Sequence, residues 1–359
     1  MGNQTHWFSI NSTLCFEHRT QHQTMETVMI SRELRLASRP KGMPVADNFS
    51  LVQTEVGPPQ DQQVLVRNLF ISVDPYMRGR MNEVKSYVPP FALDKALEGG
   101  AVGEVIESRA KEFKVGDTVT SNFGWREYFI ASPKELHAVS RENQPLSLYL
   151  GALGMTGMTA WAGLQLGEVK AGDVVYISGA AGAVGSVAGQ LAKLRGCRVI
   201  GSAGSMEKVA FLRDECGFDV AFDYKTGPVI EQLKLEAPDG IDVYFDNVGG
   251  ETLEAALSAL RVHGRIISCG GISGYNAENP RPGPTNLFNM ITKRLTMKGL
   301  LVRDWLDHQA EFEKAMGGYL RTGKIKNQET VAVGIDHAVS AFLGLFQGTN
   351  IGKMVVKVA

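Results

Sequence analysis

What this chain lacks narrows its class before any motif is read. Cysteine is sparse: Cys15, Cys197, Cys216 and Cys269 are the four in 359 residues, and no two form a C-x-x-C pair. That usage suits reduced thiols in a cytoplasmic protein and argues against a disulfide framework. No apolar run approaches the ~20 residues needed to span a bilayer. Excess charge is missing too. With 37 Lys and Arg against 38 Asp and Glu, the formal net charge is −1, so no global field draws in nucleic acid or an anionic membrane. A local basic patch could still hold a phosphate. Residues 1–24 lack the basic and apolar regions of a secretory signal. They are polar, rich in Gln, Thr and His, and read as a disordered extension despite Trp7, Phe8 and Phe16. There is no internal repeat and no low-complexity tract.

What is present suits an ordinary globular protein: 44% hydrophobic and 21% charged residues. The length suits two domains of about 100–200 residues each. Residues 25–153 carry short β-type runs punctuated by Gly and Pro, at 64–73, 102–106, 116–119 and 125–130, which predicts a compact β-rich domain. From residue 154 the texture changes. Strand-like segments at 174–178, 197–202, 220–222, 242–245, 264–269 and 295–301 alternate with helix-like ones at 184–194, 206–215, 228–235 and 251–259. This is the pattern of a doubly wound parallel sheet, here assigned to residues 154–328. A helix-like stretch at 305–320 precedes a tail, 329–359, that is β-rich again and is expected to return to the first domain.

The strongest local signal is the run Ser178-Gly179-Ala180-Ala181-Gly182-Ala183-Val184-Gly185-Ser186, between an apolar strand and a helix. It is a glycine-rich form of the dinucleotide-binding turn. Gly182 lets the backbone approach a pyrophosphate, Gly185 lets helix and strand pack closely, and the helix N-terminus offers free N–H groups. An NAD site wants a carboxylate at the end of the second strand, where this chain has Ser202-Ala203-Gly204-Ser205 and then Lys208. A cation with hydroxyls suits the 2′-phosphate of NADPH instead, although most lysines on helices are simply solvated.

Four stretches carry a resemblance to a known family: Asp74-Pro75-Tyr76-Met77-Arg78-Gly79-Arg80-Met81, Leu153-Gly154-Met155-Thr156-Gly157-Met158-Thr159-Ala160, Asp246-Asn247-Val248-Gly249-Gly250 and Cys269-Gly270-Gly271-Ile272-Ser273-Gly274-Tyr275-Asn276. With the dinucleotide turn and the returning tail, the chain from about residue 30 resembles the zinc-independent medium-chain dehydrogenase/reductase superfamily. Within it, the similarity is to the branch of prostaglandin, alkenal double-bond and curcumin reductases. The resemblance implies a GroES-like domain beside a Rossmann domain, and a homodimer joined through the latter. Zinc-dependent relatives need thiolate and imidazole ligands. Their first cysteine falls at 69–75, which holds no Cys or His, and their Gly-His-Glu motif falls at Glu98-Gly99-Gly100. No catalytic zinc is expected.

By the same resemblance, Gly182, Ala183, Val184 and Gly185 would meet the pyrophosphate. Ser205, Lys208 and Tyr224 would meet the 2′-phosphate end, and Asn247 the ribose. Cys269, Gly270, Gly271, Ile272, Ser273 and Tyr275 would run beneath the nicotinamide, supported by Leu300, Leu301 and Val302, with Asn350 closing the cleft. Gly271 and Gly274 stand where some relatives carry bulkier residues, which leaves the substrate's shape open. The implied chemistry is NADPH-dependent reduction of the C=C bond of enals and enones. Tyr275 and Tyr76 are the candidate donors to the developing oxyanion, since a phenol with a pKa of about 10 stays protonated at neutral pH. Either could equally be an amphipathic wall residue, and a cofactor hydroxyl could take the role. Arg78 and Arg80 could line the cleft, but arginine in a short loop is more often a surface ion-pair partner; Trp125 could wall the substrate pocket, but a tryptophan in a β run is usually core. Cys269 reads as an inert buried thiol rather than a nucleophile, and His137, His263 and His337 are too scattered for a metal set. Quinone reduction and a non-catalytic NADPH-binding role remain as alternatives.

Overall fold

The computed structural model describes residues 1–2, 28–279 and 282–359; the expectation for residues 1–24 and Cys15 lies outside them, apart from Met1 and Gly2. The N-terminal half opens with a hairpin of β1 (Met29–Leu36) and β2 (Phe49–Val56), which the sequence reading had not placed. A mixed sheet follows from β3 (Val64–Ser72), β4 (Ala101–Ser108), β5 (Thr118–Ser121), β6 (Tyr128–Ala131) and β7 (His137–Ala138). A short helix, α1 (Met77–Arg80), leaves the end of β3. Trp125, expected in a strand, instead precedes β6 with φ +61°, fully buried between Phe49 and Phe342.

The second domain begins with α2 (Met155–Leu166) and builds a six-stranded parallel sheet from β8 (Val174–Ile177), β9 (Arg198–Ala203), β10 (Val220–Asp223), β11 (Ile241–Asp246), β12 (Leu260–Ser268) and β13 (Thr296–Gly299). The order is β10-β9-β8-β11-β12-β13, so the strand order reverses between β8 and β11. Ligands of doubly wound sheets bind at that switch, outside the carboxyl ends of the strands. The sheet is buried on both faces by α3 (Ala183–Leu194), α4 (Met206–Ala210), α5 (Val229–Glu236), α6 (Gly250–Ala259), α7 (Asn289–Thr292) and α8 (Gln309–Arg321). Hence the strand segment Val-Val-Tyr-Ile of β8 reads as continuous apolar sequence rather than alternation. Among the described residues, no helix is long and apolar enough to cross a membrane.

The tail then returns. β14 (Glu329–Val333) and β15 (Lys353–Lys357) add to the first sheet, β15 pairing antiparallel with β3. Between them lies α9 (Ala338–Gln347), which corrects the expectation of a wholly β-rich tail. Its run of Ala, Val, Leu and Phe is so uniformly apolar that neither a period of two nor of 3.6 stands out. It is helical because one face, including Ala338, Ala341 and Phe342, packs into the core around Trp125.

Candidate active site

A cleft of about 1270 Å³ lies between the two domains, bordered by Val73–Tyr76 on one side and by the dinucleotide turn on the other. That turn leaves β8 and enters α3 at Gly182, whose end is capped by no side chain. The N–H groups of Ala183, Val184 and Gly185 therefore lack intrahelical partners, and all three residues line the cleft. Gly185 is fixed by space: a Cβ there would sit 2.6 Å from the Gly179 carbonyl oxygen and 2.7 Å from the Ala180 Cα, both backbone atoms. The strand and helix approach so closely that only hydrogen fits. An anion such as a pyrophosphate finds unpaired donors and the positive end of a twelve-residue helix.

At one end of the cleft, Lys208 and Tyr224 line the wall, and Lys225 joins them. Ser205 does not line it; its hydroxyl accepts the Lys208 N–H at 3.3 Å and so caps α4. Ser202 and Gly204 line the wall instead. The Lys208 ammonium donates to the Gly348 carbonyl at 2.8 Å, which leaves two of its three donors free. Burial lowers its pKa, and repulsion from Lys225 lowers it further. A dianionic phosphate between these two cations would relieve both effects. The residues present fit the 2′-phosphate of NADPH.

Toward the other end, Asp246 organises two loops. Its buried carboxylate accepts from the Tyr244 hydroxyl at 2.7 Å, the Val248 N–H at 3.0 Å and the Gly249 N–H at 2.8 Å. Its own carbonyl accepts from the N–H groups of Cys269 at 2.9 Å and Gly270 at 3.0 Å. Burial raises the Asp246 pKa, opposed by the bonds it accepts. Asn247 is held by its amide to the Ser178 carbonyl at 2.8 Å. Asn247, Cys269, Gly270, Ile272, Ser273 and Tyr275 all reach the cleft, with Leu300, Leu301 and Val302. Gly271 does not; its N–H donates to the Tyr275 hydroxyl at 3.3 Å. That bond fills an acceptor site of Tyr275 and leaves its proton free to donate. Burial raises the Tyr275 pKa, with the Gly271 N–H pulling the other way. The Cys269 thiol is pushed up to about 12 by burial, then by Asp246, and stays protonated.

Tyr76 borders the same cleft from the β domain. Burial, then the Asp74 charge, raise its pKa strongly, and its hydroxyl makes no hydrogen bond among the described residues. Its loop is held from behind. The Lys353 ammonium, 3% exposed, donates to Asp74 Oδ1 at 3.0 Å and to the carbonyls of Val73 and Met354 at 3.0 and 2.9 Å. All three of its donors are satisfied, and the Ser72 hydroxyl donates to the other oxygen of Asp74. The tail clasps the turn as well: the Gly352 N–H donates to the Ala181 carbonyl at 2.7 Å, and the Asn350 amide to the Gly352 carbonyl at 2.9 Å. Gly352 has φ +69°, and a Cβ there would overlap the Gln328 carbonyl.

Comparisons with known proteins now decide the family. The model described as "N-terminal domain of oxidoreductase" matches residues 32–139, and that described as "Zinc-binding dehydrogenase" matches residues 183–318. The NADPH-dependent curcumin reductase of Escherichia coli is 40% identical over 335 residues, 92% of this chain and 97% of that protein. The 2-alkenal reductase (NADP(+)-dependent) of Nicotiana tabacum is 45% identical over 306 residues, 84% of this chain and 89% of that protein. The chain belongs to the zinc-independent branch of the medium-chain dehydrogenase/reductase superfamily. The crystal structure of CurA from Vibrio vulnificus in complex with NADPH superposes with a TM-score of 0.88 at 41% identity, covering 91% of this chain and 99% of that one. This member is an NADPH-dependent oxidoreductase.

Although the second family model carries zinc in its description, the position to which the resemblance assigns the zinc enzymes' Gly-His-Glu motif holds Glu98-Gly99-Gly100 here. Glu98 pairs with Arg80 at 2.7 Å, and glycines follow it. Among the described residues, no group of three or more His, Cys, Asp or Glu is placed to hold a metal ion. The arginines correct the sequence reading, because neither is a surface residue. Arg80 lies over the Phe91 ring at 4.0 Å as well as pairing with Glu98. Arg78 is buried, donating to the Asn276 side chain at 3.1 Å, to Asn82 at 2.7 Å and to the carbonyls of Pro40 and Gly42. It thereby ties the loop after Tyr275 to the β domain. Lys225, Lys353 and Asp246 are functional candidates that the sequence did not single out. Only Asp246 had a local signal, as the first residue of Asp-Asn-Val-Gly-Gly.

Proposed function

We propose that this reductase transfers hydride to the C=C bond of α,β-unsaturated aldehydes and ketones. The observation that carries the reading is the pair of protonated phenols, Tyr275 and Tyr76, bordering one cleft beside the loop Cys269–Tyr275. The names of the relatives, a 2-alkenal reductase and a curcumin reductase, support it. Bound NADPH supplies a hydride to the substrate's β-carbon. Negative charge would then gather on the carbonyl oxygen, and the α-carbon would take a proton from solvent water. A phenol whose pKa is raised cannot compete as an anion, so it acts as a fixed hydrogen-bond donor to that oxygen. The Gly271 N–H orients the Tyr275 hydroxyl for this role, while Lys353 and Asp74 hold the loop that bears Tyr76. Leu300 and Val302 give the cleft apolar walls.

Tyr275→Phe is expected to lower kcat more than about tenfold, as loss of an oxyanion donor does, with the Kd for NADPH nearly unchanged. Tyr76→Phe is expected to cost less. Single-turnover hydride transfer checks both, and unchanged rates in the two variants would assign the oxyanion to a cofactor ribose hydroxyl.

The proposal includes a homodimer. Strand β13 ends the Rossmann sheet with an open edge, and Phe288, Ile291 and Met297 beside it are 69%, 69% and 41% exposed. An uncovered strand edge with apolar neighbours is a surface that pairing with a second copy would bury. Light scattering is expected to give a dimer, and Phe288→Glu with Ile291→Glu a monomer. A monomeric wild type would contradict this part.

A further inference from the structure

The two phenols that border the cleft stand on different domains. Tyr76 lies between β3 and α1 in the β domain, and Tyr275 lies in the loop after β12 in the Rossmann domain. Their separation is set by whatever joins those two segments. One side chain joins them directly: Arg78, two positions after Tyr76, donates from Nε to Oδ1 of Asn276, the residue after Tyr275, at 3.1 Å. The guanidinium is itself fixed on the β domain. Nη1 donates to Asn82 Oδ1 at 2.7 Å, and Nη2 to the carbonyls of Pro40 and Gly42 at 3.4 and 2.9 Å. Asn276 is gripped at its other end too, its Nδ2 donating to Met43 Sδ at 3.1 Å. All these acceptors are neutral. Among the described residues no carboxylate pairs with Arg78, although it is buried. A buried cation with unmatched charge is costly, so packing alone is a poor reason to keep it. The rigid fork of a guanidinium, which reaches several segments of chain at once, is a better one.

We propose that the Arg78–Asn276 bond is a spacer that sets the distance between the Tyr76 and Tyr275 hydroxyls, making Arg78 and Asn276 positioning residues for the oxyanion donors. The inference rests on the enone-reductase reading of the same cleft. Two donors serve one oxygen only if each stands about 2.7–3.1 Å from it. Domains joined by a modest interface shift relative to one another, and a misplacement of about 1 Å can cost about a hundredfold. Asn276 borders the cleft, but its side chain is turned to Arg78 and Met43, so it acts through Tyr275 rather than on the substrate.

Arg78→Met also strips the Pro40 and Gly42 carbonyls of a donor, so Asn276→Ala, which breaks the bond from the side of the Tyr275 loop, is the sharper test. With saturating NADPH and trans-2-hexenal, single-turnover hydride transfer in Asn276→Ala is expected to fall about tenfold. The Kd for NADPH and the melting temperature are expected to stay close to wild type. In a Tyr275→Phe background the same change is expected to cost less than about twofold, because the hydroxyl it positions is gone. Asn276→Asp keeps an oxygen for Arg78 and is expected to recover most of the rate. An undiminished rate in Asn276→Ala, or an equal loss with and without the Tyr275 hydroxyl, overturns the proposal. Binding of p-nitrophenolate, an oxyanion mimic, to the NADP+ complex reads the same geometry without turnover, and its Kd is expected to rise about tenfold in Asn276→Ala. A wild type that binds p-nitrophenolate but reduces no enal or enone sinks the reductase reading alone. The spacer is then judged on that Kd, and equal or absent binding in the two proteins overturns it.

Discussion

Gly185→Val is expected to weaken NADPH binding by at least about a hundredfold while leaving a folded protein. The cause is steric and specific. Even the first added carbon lands 2.6 Å from the Gly179 carbonyl oxygen and 2.7 Å from the Ala180 Cα. Neither is the tip of a flexible side chain, so α3 must move away from the turn. The N–H groups of Ala183, Val184 and Gly185 move with it, and displacing a positioned group by about 1 Å can cost about a hundredfold. The remainder of α3, including Val187, Ala188 and Leu191, stays in the core, which is why folding should survive. Fluorescence titration with NADPH, alongside circular dichroism, checks this. Wild-type affinity in the valine variant would show that the turn does not hold the pyrophosphate.

The second large effect is expected at Lys208. Lys208→Glu should raise the KM for NADPH by about a hundredfold or more and leave the KM for NADH within a few-fold. Loss of one charge-assisted hydrogen bond accounts for about 1.5–3 kcal/mol, and a carboxylate facing a dianionic phosphate adds repulsion. Lys208→Ala, which removes the bond alone, should cost about tenfold. Lys225 moderates the loss because its charge still faces the same wall. The discrimination should weaken as salt rises, since both ammonium groups border solvent. Equal effects on NADPH and NADH would move the 2′-phosphate away from Lys208.

How much of this was legible in the sequence follows from the range over which each feature is encoded. The dinucleotide turn was legible because strand, glycines and helix are contiguous, and the missing carboxylate after β9 lies only a few residues from Lys208. The β domain, the parallel sheet and the returning tail followed from local texture. Arg78 was not legible. Its partner Asn276 lies 198 positions away, so a cation in a short loop read as solvated when it is buried. Lys353 and Asp74 are 279 positions apart, and nothing near either announces the pair. Such a pair is held because removing one partner leaves a buried charge, a loss of about 3–5 kcal/mol. Ser205 carries the opposite ambiguity. A serine before a helix both caps it and resembles a phosphate ligand, and here its hydroxyl accepts the Lys208 N–H.

The central claim is that this oxidoreductase saturates activated double bonds, and the most direct measurement follows NADPH consumption with a panel of trans-2-alkenals, alkenones and quinones, identifying each product by mass spectrometry. The account predicts NADPH oxidation with enals or enones, slow or absent with NADH, yielding the saturated carbonyl compound. Turnover with quinones alone, an allylic alcohol as product, or tight NADPH binding without turnover on any member of the panel would contradict it.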